Sequence, residues 1–94
     1  MKIIVKGISD GMLKEEVKVI IREFCDCENV YARGFWSGEY QTGHLRGVEI
    51  YPIGSESMIG FIQYGAYTRK PNIYVVLKRR EVVKTYSLKE WGDE

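Results

Sequence analysis

The clearest pattern of apolar and polar positions along the chain is helical. Between Met12 and about Phe24, apolar residues recur every three or four positions, at 13, 17, 20, 21 and 24. This spacing places them on one stripe of an α-helix, with charged residues on the other side. Ser9 and Asp10 offer side-chain oxygens that can cap the first turn. The pattern therefore predicts one amphipathic helix over about residues 11–24.

The remaining segments alternate apolar and polar residues with a period of two and are rich in Val, Ile, Tyr and Phe, as is typical of half-buried strands. One short strand is predicted at residues 2–6, before the helix. Strands after the helix are predicted at 30–36, 47–53, 58–67, 73–78 and 82–88. We expect turns at 54–57 and 78–81, and another at Pro71-Asn72.

This order of elements predicts a single α+β domain over residues 1–94. An N-terminal strand and one helix precede four to five strands, which form a curved antiparallel sheet packed on the helix. The order is similar to that of cystatin-type rolls, and a small half-barrel is the alternative. The Gln-x-Val-x-Gly loop of that inhibitor family has no counterpart here, so the resemblance implies an architecture and no function.

Composition agrees with an ordinary globular domain, at 45% hydrophobic and 29% charged over 94 residues. No apolar run approaches the ~20 residues of a membrane helix, and we expect a cytoplasmic protein without membrane contact. Cys25 and Cys27 are too close for an unstrained disulfide. Zinc needs four ligands and His44 is the one remaining soft donor, so no metal or other cofactor is expected.

Charge is distributed unevenly, although the net charge is only +1. Residues 67–84 carry a net charge of +5, which leaves the rest of the chain at −4. Cations that reach phosphates, beside rings that stack on unpaired bases, are typical of RNA or single-stranded DNA binding. The preferred hypothesis is therefore nucleic-acid binding by a basic hairpin (67–86). Its predicted phosphate contacts are Arg69, Lys70, Lys78, Arg79, Arg80 and Lys84, with Tyr67 or Tyr74 stacking on bases.

A second candidate is the segment 34–47, which holds four glycines and is predicted as a loop or long hairpin tip. Aromatic side chains on such a tip expose apolar area suited to a partner. The alternative hypothesis is a protein-binding module, an inhibitor or regulator of viral or host-defence type. Its predicted contacts are Phe35, Trp36, Tyr40, His44 and Arg46. A simple strand end, with Phe35 or Trp36 turned into the core, remains open.

Catalysis is the third hypothesis, and no common enzyme motif supports it. A metal-independent ribonuclease centred on His44 would use Glu39 or Glu49 as base, and Arg46 or Arg69 to stabilise the reacting phosphate. A lone histidine in a loop is usually solvated, so the prediction leans towards a protein that is not an enzyme. The chain is expected to act as a monomer or a homodimer.

Overall fold

The fold is taken from a computed structural model. The structure describes residues 1–8, 14–36, 46–64 and 71–88, without the side chains of Trp36 and Arg46. Within these ranges one helix and six strands follow each other along the chain. They are β1 (Lys2–Lys6), α1 (Lys14–Phe24), β2 (Asn29–Trp36), β3 (Arg46–Pro52), β4 (Gly60–Tyr64), β5 (Pro71–Lys78) and β6 (Glu81–Ser87).

The α+β class predicted from the sequence is confirmed, and the bounds of most elements agree within two residues. One local prediction is wrong. Pro71 and Asn72 were expected in a turn, but they are the first two residues of β5. Proline is tolerated there because the first residue of a strand can do without a backbone donor.

The strands form one mixed sheet in the order β1-β2-β3-β4-β5-β6. This differs from the expected antiparallel sheet of four to five strands. β1 pairs with β2 in parallel, because α1 carries the chain back before β2 begins. The other neighbouring pairs are antiparallel. β1 and β6 are the two edges, so the sheet is not closed.

The helix lies on one face of this sheet, as its apolar stripe predicts. Val17, Ile20 and Ile21 are fully buried and belong to one core cluster with strand residues. The strand residues that face the helix alternate with residues on the opposite, open face. The buried strand residues of the core are Val5, Val30, Ala32, Val48, Ile50, Ile62, Tyr64 and Tyr74.

Strand register brings three connections to the same end of the sheet. Val30 pairs with Pro52, Ile50 with Gly60, and Gly60 with Val76. The C-terminal end of α1, the β3–β4 connection and the β5–β6 turn therefore lie at one end, which we call the hairpin end. The ends of β1, β4 and β6, at Lys6, Tyr64 and Ser87, lie at the opposite end.

Candidate functional site

The turn between β5 and β6 consists of two arginines in a left-handed backbone conformation. Arg79 and Arg80 have φ angles of 54° and 68°, and Lys78 pairs with Glu81 across the turn. Two-residue turns of this kind favour Asn-Gly, since those residues tolerate positive φ. A left-handed arginine costs on the order of 1 kcal/mol. The backbone of this turn would therefore be more relaxed with other residues.

Four cations are exposed at this end of the hairpin, and we call them the basic tip: Lys78, Arg79, Arg80 and Lys84. Glu81 is the single carboxylate in residues 71–88, which gives this segment a net charge of +3. The ion pairs among the described residues are Lys18–Glu15 and Arg33–Glu49. None of them involves the basic tip, so within the described ranges its charge is not neutralised by a carboxylate.

The other two cations of the predicted hairpin, Arg69 and Lys70, lie outside the described residues, as does Tyr67. In the chain they come just before Pro71, the first residue of β5. The basic tip begins at Lys78, the last residue of that strand. The basic tip thus holds four of the six predicted phosphate contacts, and the other two stay predictions.

Tyr74 was predicted to stack on a base, but its side chain is only 1% exposed. Its ring packs in the core, stacked on Phe24 with the ring centroids 5.5 Å apart. Burial raises the pKa of the Tyr74 hydroxyl and of the neighbouring Cys25 thiol. A base has no access to this ring. Tyr74 therefore acts as a core residue that packs beneath Phe24.

A cleft of about 670 Å³ lies beside the basic tip, between the C-terminal end of α1 and the β5–β6 hairpin. Phe24 and Tyr86, both half-buried, line it with ring centroids 4.6 Å apart. The Lys84 ammonium lies 4.8 Å from the centroid of the Tyr86 ring. Glu23 and Asp26 line the helix side of the cleft. The site thus combines cations, accessible aromatic surface and a recess.

The open face of the sheet carries a polar network that the sequence analysis did not single out. Arg33 donates hydrogen bonds to Glu49 Oε1 at 3.0 Å and to the Tyr51 hydroxyl at 3.2 Å. Tyr51 in turn donates to Glu49 Oε1 at 3.1 Å. Burial of the phenol and its hydrogen bond to Glu49 raise the pKa of Tyr51. Strand alternation, which puts residues 31, 33 and 35 on one face, was the signal that could have revealed this network.

A smaller recess of about 360 Å³ adjoins this network at the hairpin end. It is lined by Tyr31 and Arg33 of β2, Tyr51 of β3 and the following residues of the β3–β4 connection. The Arg33 guanidinium is already held by Glu49 and lies 5.5 Å from the centroid of the Tyr51 ring. Because its one arginine is neutralised from within the sheet, this recess is less suited to an anion than the basic tip.

Of the five predicted protein-binding contacts, the structure describes the Phe35 side chain and the backbones of Trp36 and Arg46. Phe35 packs over Gly47 and makes an edge contact with Phe61 at a centroid distance of 6.3 Å. Its half-buried ring rests on the open face of the sheet and not in the helix-side core. The side chains of Trp36 and Arg46 lie outside the described residues, as do Tyr40 and His44.

The hypothetical ribonuclease site is not assembled by the described residues. Glu49, one of its two candidate bases, is bound to Arg33 and Tyr51. His44, Glu39 and Arg69 lie outside the described ranges. The hypothesis therefore gains no geometric support.

Both cysteines are free thiols, Cys25 buried and Cys27 half-buried. Cys27 donates a weak hydrogen bond to the Asn29 carbonyl oxygen at 3.6 Å. Within the described ranges, no three His, Cys, Asp or Glu side chains gather as a metal site requires. No helix in the same ranges combines the length and the apolar character needed to cross a membrane.

The fold and the site define an α+β protein with one helix on an open, six-stranded mixed sheet and an exposed basic hairpin turn. No family model, no curated protein and no solved structure matches this chain. The basic tip, the adjacent cleft and the open face are accordingly the observations from which a function can be proposed.

Proposed function

We propose that the protein is a non-catalytic binding protein that holds unpaired RNA or single-stranded DNA at the basic tip. The observation that carries the proposal is the pair of left-handed arginines at the turn, Arg79 and Arg80. Asn-Gly would relax the turn, so the arginines are better explained by a contact than by folding. An arginine fork suits phosphate oxygens, which it can bind with two parallel hydrogen bonds.

Charge and exposure support the same proposal. Lys78 and Lys84 add two cations beside the arginines, and the segment has a net charge of +3 in a chain of net charge +1. Val82 and Val83 next to the turn are 60% and 56% exposed, which gives apolar surface within reach of a sugar or base. An extended polyanion can follow such a turn, because each cation that meets a phosphate releases a counterion.

The proposal assigns the phosphate contacts to the four cations of the basic tip. It excludes Tyr74 from base contact because that ring is buried. Arg69, Lys70 and Tyr67 lie outside the described residues and stay predicted contacts of the same hairpin. A cytoplasmic location, as predicted from the sequence, is part of the proposal.

The test is the salt dependence of binding, measured by fluorescence anisotropy with labelled single-stranded RNA and DNA of mixed sequence. For single strands, log K falls against log salt concentration with a slope of about −0.7 per phosphate contacted. Four contacts predict a slope of about −3 for the natural protein. The double variant Arg79→Asn/Arg80→Gly is expected to lose about half of that slope and more than about tenfold in affinity at low salt.

A matched control removes the same charge at the far end of the sheet. Lys6 and Lys14 are exposed and lie in no described ion pair. The variant Lys6→Gln/Lys14→Gln is expected to retain most of the affinity and nearly the full slope. Absence of binding, a flat salt dependence, or equal losses in the two double variants would each refute the basic tip as the site.

The same anisotropy assay distinguishes the protein-binding alternative from nucleic-acid binding at the basic tip. If the segment 34–47 were the functional surface, Trp36→Ala would alter binding of its protein partner and leave nucleic-acid binding unchanged. If nucleic acid is bound at the basic tip, Trp36→Ala leaves the anisotropy curves unaltered. A Trp36→Ala variant that loses nucleic-acid affinity would move the site away from the basic tip.

A further inference from the structure

The cleft beside the basic tip has a composition that favours one part of a nucleotide over another. Its volume of about 670 Å³ lies within the usual range of small-ligand sites, about 300–1,000 Å³. Its charged lining consists of two carboxylates, Glu23 and Asp26, against the single ammonium of Lys84. Phosphate is therefore disfavoured inside the cleft, whereas a neutral, flat group would meet no such charge repulsion.

Aromatic rings form the floor of the cleft. Phe24 contacts both Tyr74 and Tyr86, with centroid distances of 5.5 Å and 4.6 Å. Tyr74 is buried beneath, while Phe24 and Tyr86 keep part of their surface accessible. Aromatic surface of this kind stacks on nucleobases irrespective of their identity. Stacking alone would thus make the cleft a base site without selectivity.

Selectivity comes from the helix side, where the polar groups are mainly acceptors. The carboxylates of Glu23 and Asp26 accept hydrogen bonds and do not donate them when ionised. α1 ends at Phe24, so the partial negative charge of its last carbonyl groups points towards the same end. Amino groups of cytosine, adenine and guanine donate, whereas the corresponding position of uracil is a carbonyl acceptor.

We infer that this cleft binds one unpaired base and prefers a base that carries an amino group, while the neighbouring phosphates rest on the basic tip. This inference rests on the proposed function and specifies the preferred nucleotide. Lys84, on the hairpin wall, is then placed between the base in the cleft and the phosphates at Arg79 and Arg80. Cytosine and uracil give the sharpest comparison because they are nearly equal in size. Cytosine carries an amino donor at C4, where uracil carries a carbonyl acceptor, and N3 is an acceptor in cytosine and an N–H donor in uracil.

The experiment compares labelled oligocytidine and oligouridine of equal length in binding to the full chain at one low salt concentration. We expect oligocytidine to bind about fivefold more tightly or better, the lower range for a hydrogen-bonded base contact. In the variant Glu23→Gln/Asp26→Asn, the amides also donate, so the ratio of the two affinities is expected to approach one. Both affinities are expected to rise slightly, because two negative charges are lost.

Glu28→Gln is the matched control, since Glu28 is an exposed carboxylate close in the chain that does not line the cleft. It is expected to leave the cytidine preference intact. Equal affinities for the two oligomers, or a preference that survives Glu23→Gln/Asp26→Asn, overturn the inference while the proposed function stands. Failure of the natural protein to bind either oligomer overturns both.

Discussion

Arg79 and Arg80 present a conflict between backbone preference and side-chain identity. Their positive φ angles destabilise the turn, and no described ion pair offsets this. Strained residues persist in proteins where the surrounding fold holds them, and they cluster at functional positions. The proposed phosphate contacts give these two arginines a role that stability alone does not.

A stability measurement checks this interpretation independently of binding. The variant Arg79→Asn/Arg80→Gly is expected to raise the free energy of unfolding by about 1 kcal/mol, since relief of strain exceeds the entropy that glycine adds to the unfolded chain. Urea unfolding of the two proteins gives the difference. A less stable variant would mean that the arginines support the fold and that their backbone conformation is not a source of strain.

Cys25 and Tyr74 form a buried pair of weak acids. Removal from water raises the pKa of the Cys25 thiol above its ordinary 9.0 and that of the Tyr74 phenol above its ordinary 10.0. The unfolded chain loses these protons first as the pH rises. Above about pH 9 the folded state therefore binds more protons than the unfolded state, and stability declines with increasing pH.

We accordingly predict that the free energy of unfolding is level between about pH 7 and 8 and declines above pH 9, by up to about 1.4 kcal/mol per pH unit for each group. In Tyr74→Phe the decline beyond pH 10 is expected to be shallower. Denaturant unfolding between pH 7 and 11 measures both curves. Superimposable pH slopes for the two proteins would contradict the assignment to Tyr74.

The β2–β3–β4 region depends on a close approach at Gly47. A Cβ added there would clash with the Ile62 carbonyl oxygen and lie 2.9 Å from a ring carbon of Phe35. The Phe35 ring covers this glycine and contacts Phe61, so the three strands share one aromatic contact on the open face. This arrangement gives Phe35 a packing role in the sheet.

Gly47→Ala is therefore expected to destabilise the protein by about 2–3 kcal/mol, through overpacking between strands. Gly54→Ala is the matched control. Gly54 has a φ of +87°, but nothing lies within 4 Å of an added Cβ, so a loss of only about 1 kcal/mol is expected. Thermal or urea unfolding ranks the two variants, and a milder effect at Gly47 would contradict the described packing.

Periodicity predicted the helix and strands well because their apolar residues are buried on one side, as with Val17, Ile20 and Ile21. It did not show that β1 pairs in parallel with β2, since pairing partners depend on the path of the whole chain. Pro71 was misassigned because a proline at the start of a strand resembles a turn signal. The curvature of the sheet into a roll stays a prediction.

Side-chain burial explains most of the differences between the site predicted from the sequence and the site in the structure. Tyr74 and Tyr86 are both tyrosines on the hairpin, yet the pattern of residues alone did not show that one ring is buried and the other is half-buried. The cleft between α1 and the hairpin arises from segments some fifty residues apart in the chain. Its acceptor-rich wall, formed by Glu23 and Asp26, had no signature beyond an ordinary charged helix end.

The charged groups of the folded protein lie in separate regions of the sheet. The basic tip and the cleft lie at the hairpin end, on the β5–β6 side, while the Arg33–Glu49–Tyr51 network occupies the open face of β2 and β3. Lys6 and Lys14 lie at the opposite end. Because these regions are distinct, the surface that contacts a ligand identifies which of them is functional.

The most direct test is a titration of the ¹⁵N-labelled protein with a cytidine-rich single-stranded RNA, followed by amide chemical shifts. The account predicts perturbations concentrated in residues 77–86 and 23–27, which require more than about tenfold higher RNA concentrations in Arg79→Asn/Arg80→Gly. Perturbations confined to the open face, at residues 31–35 and 49–53, or a spectrum unchanged at saturating RNA, would contradict it.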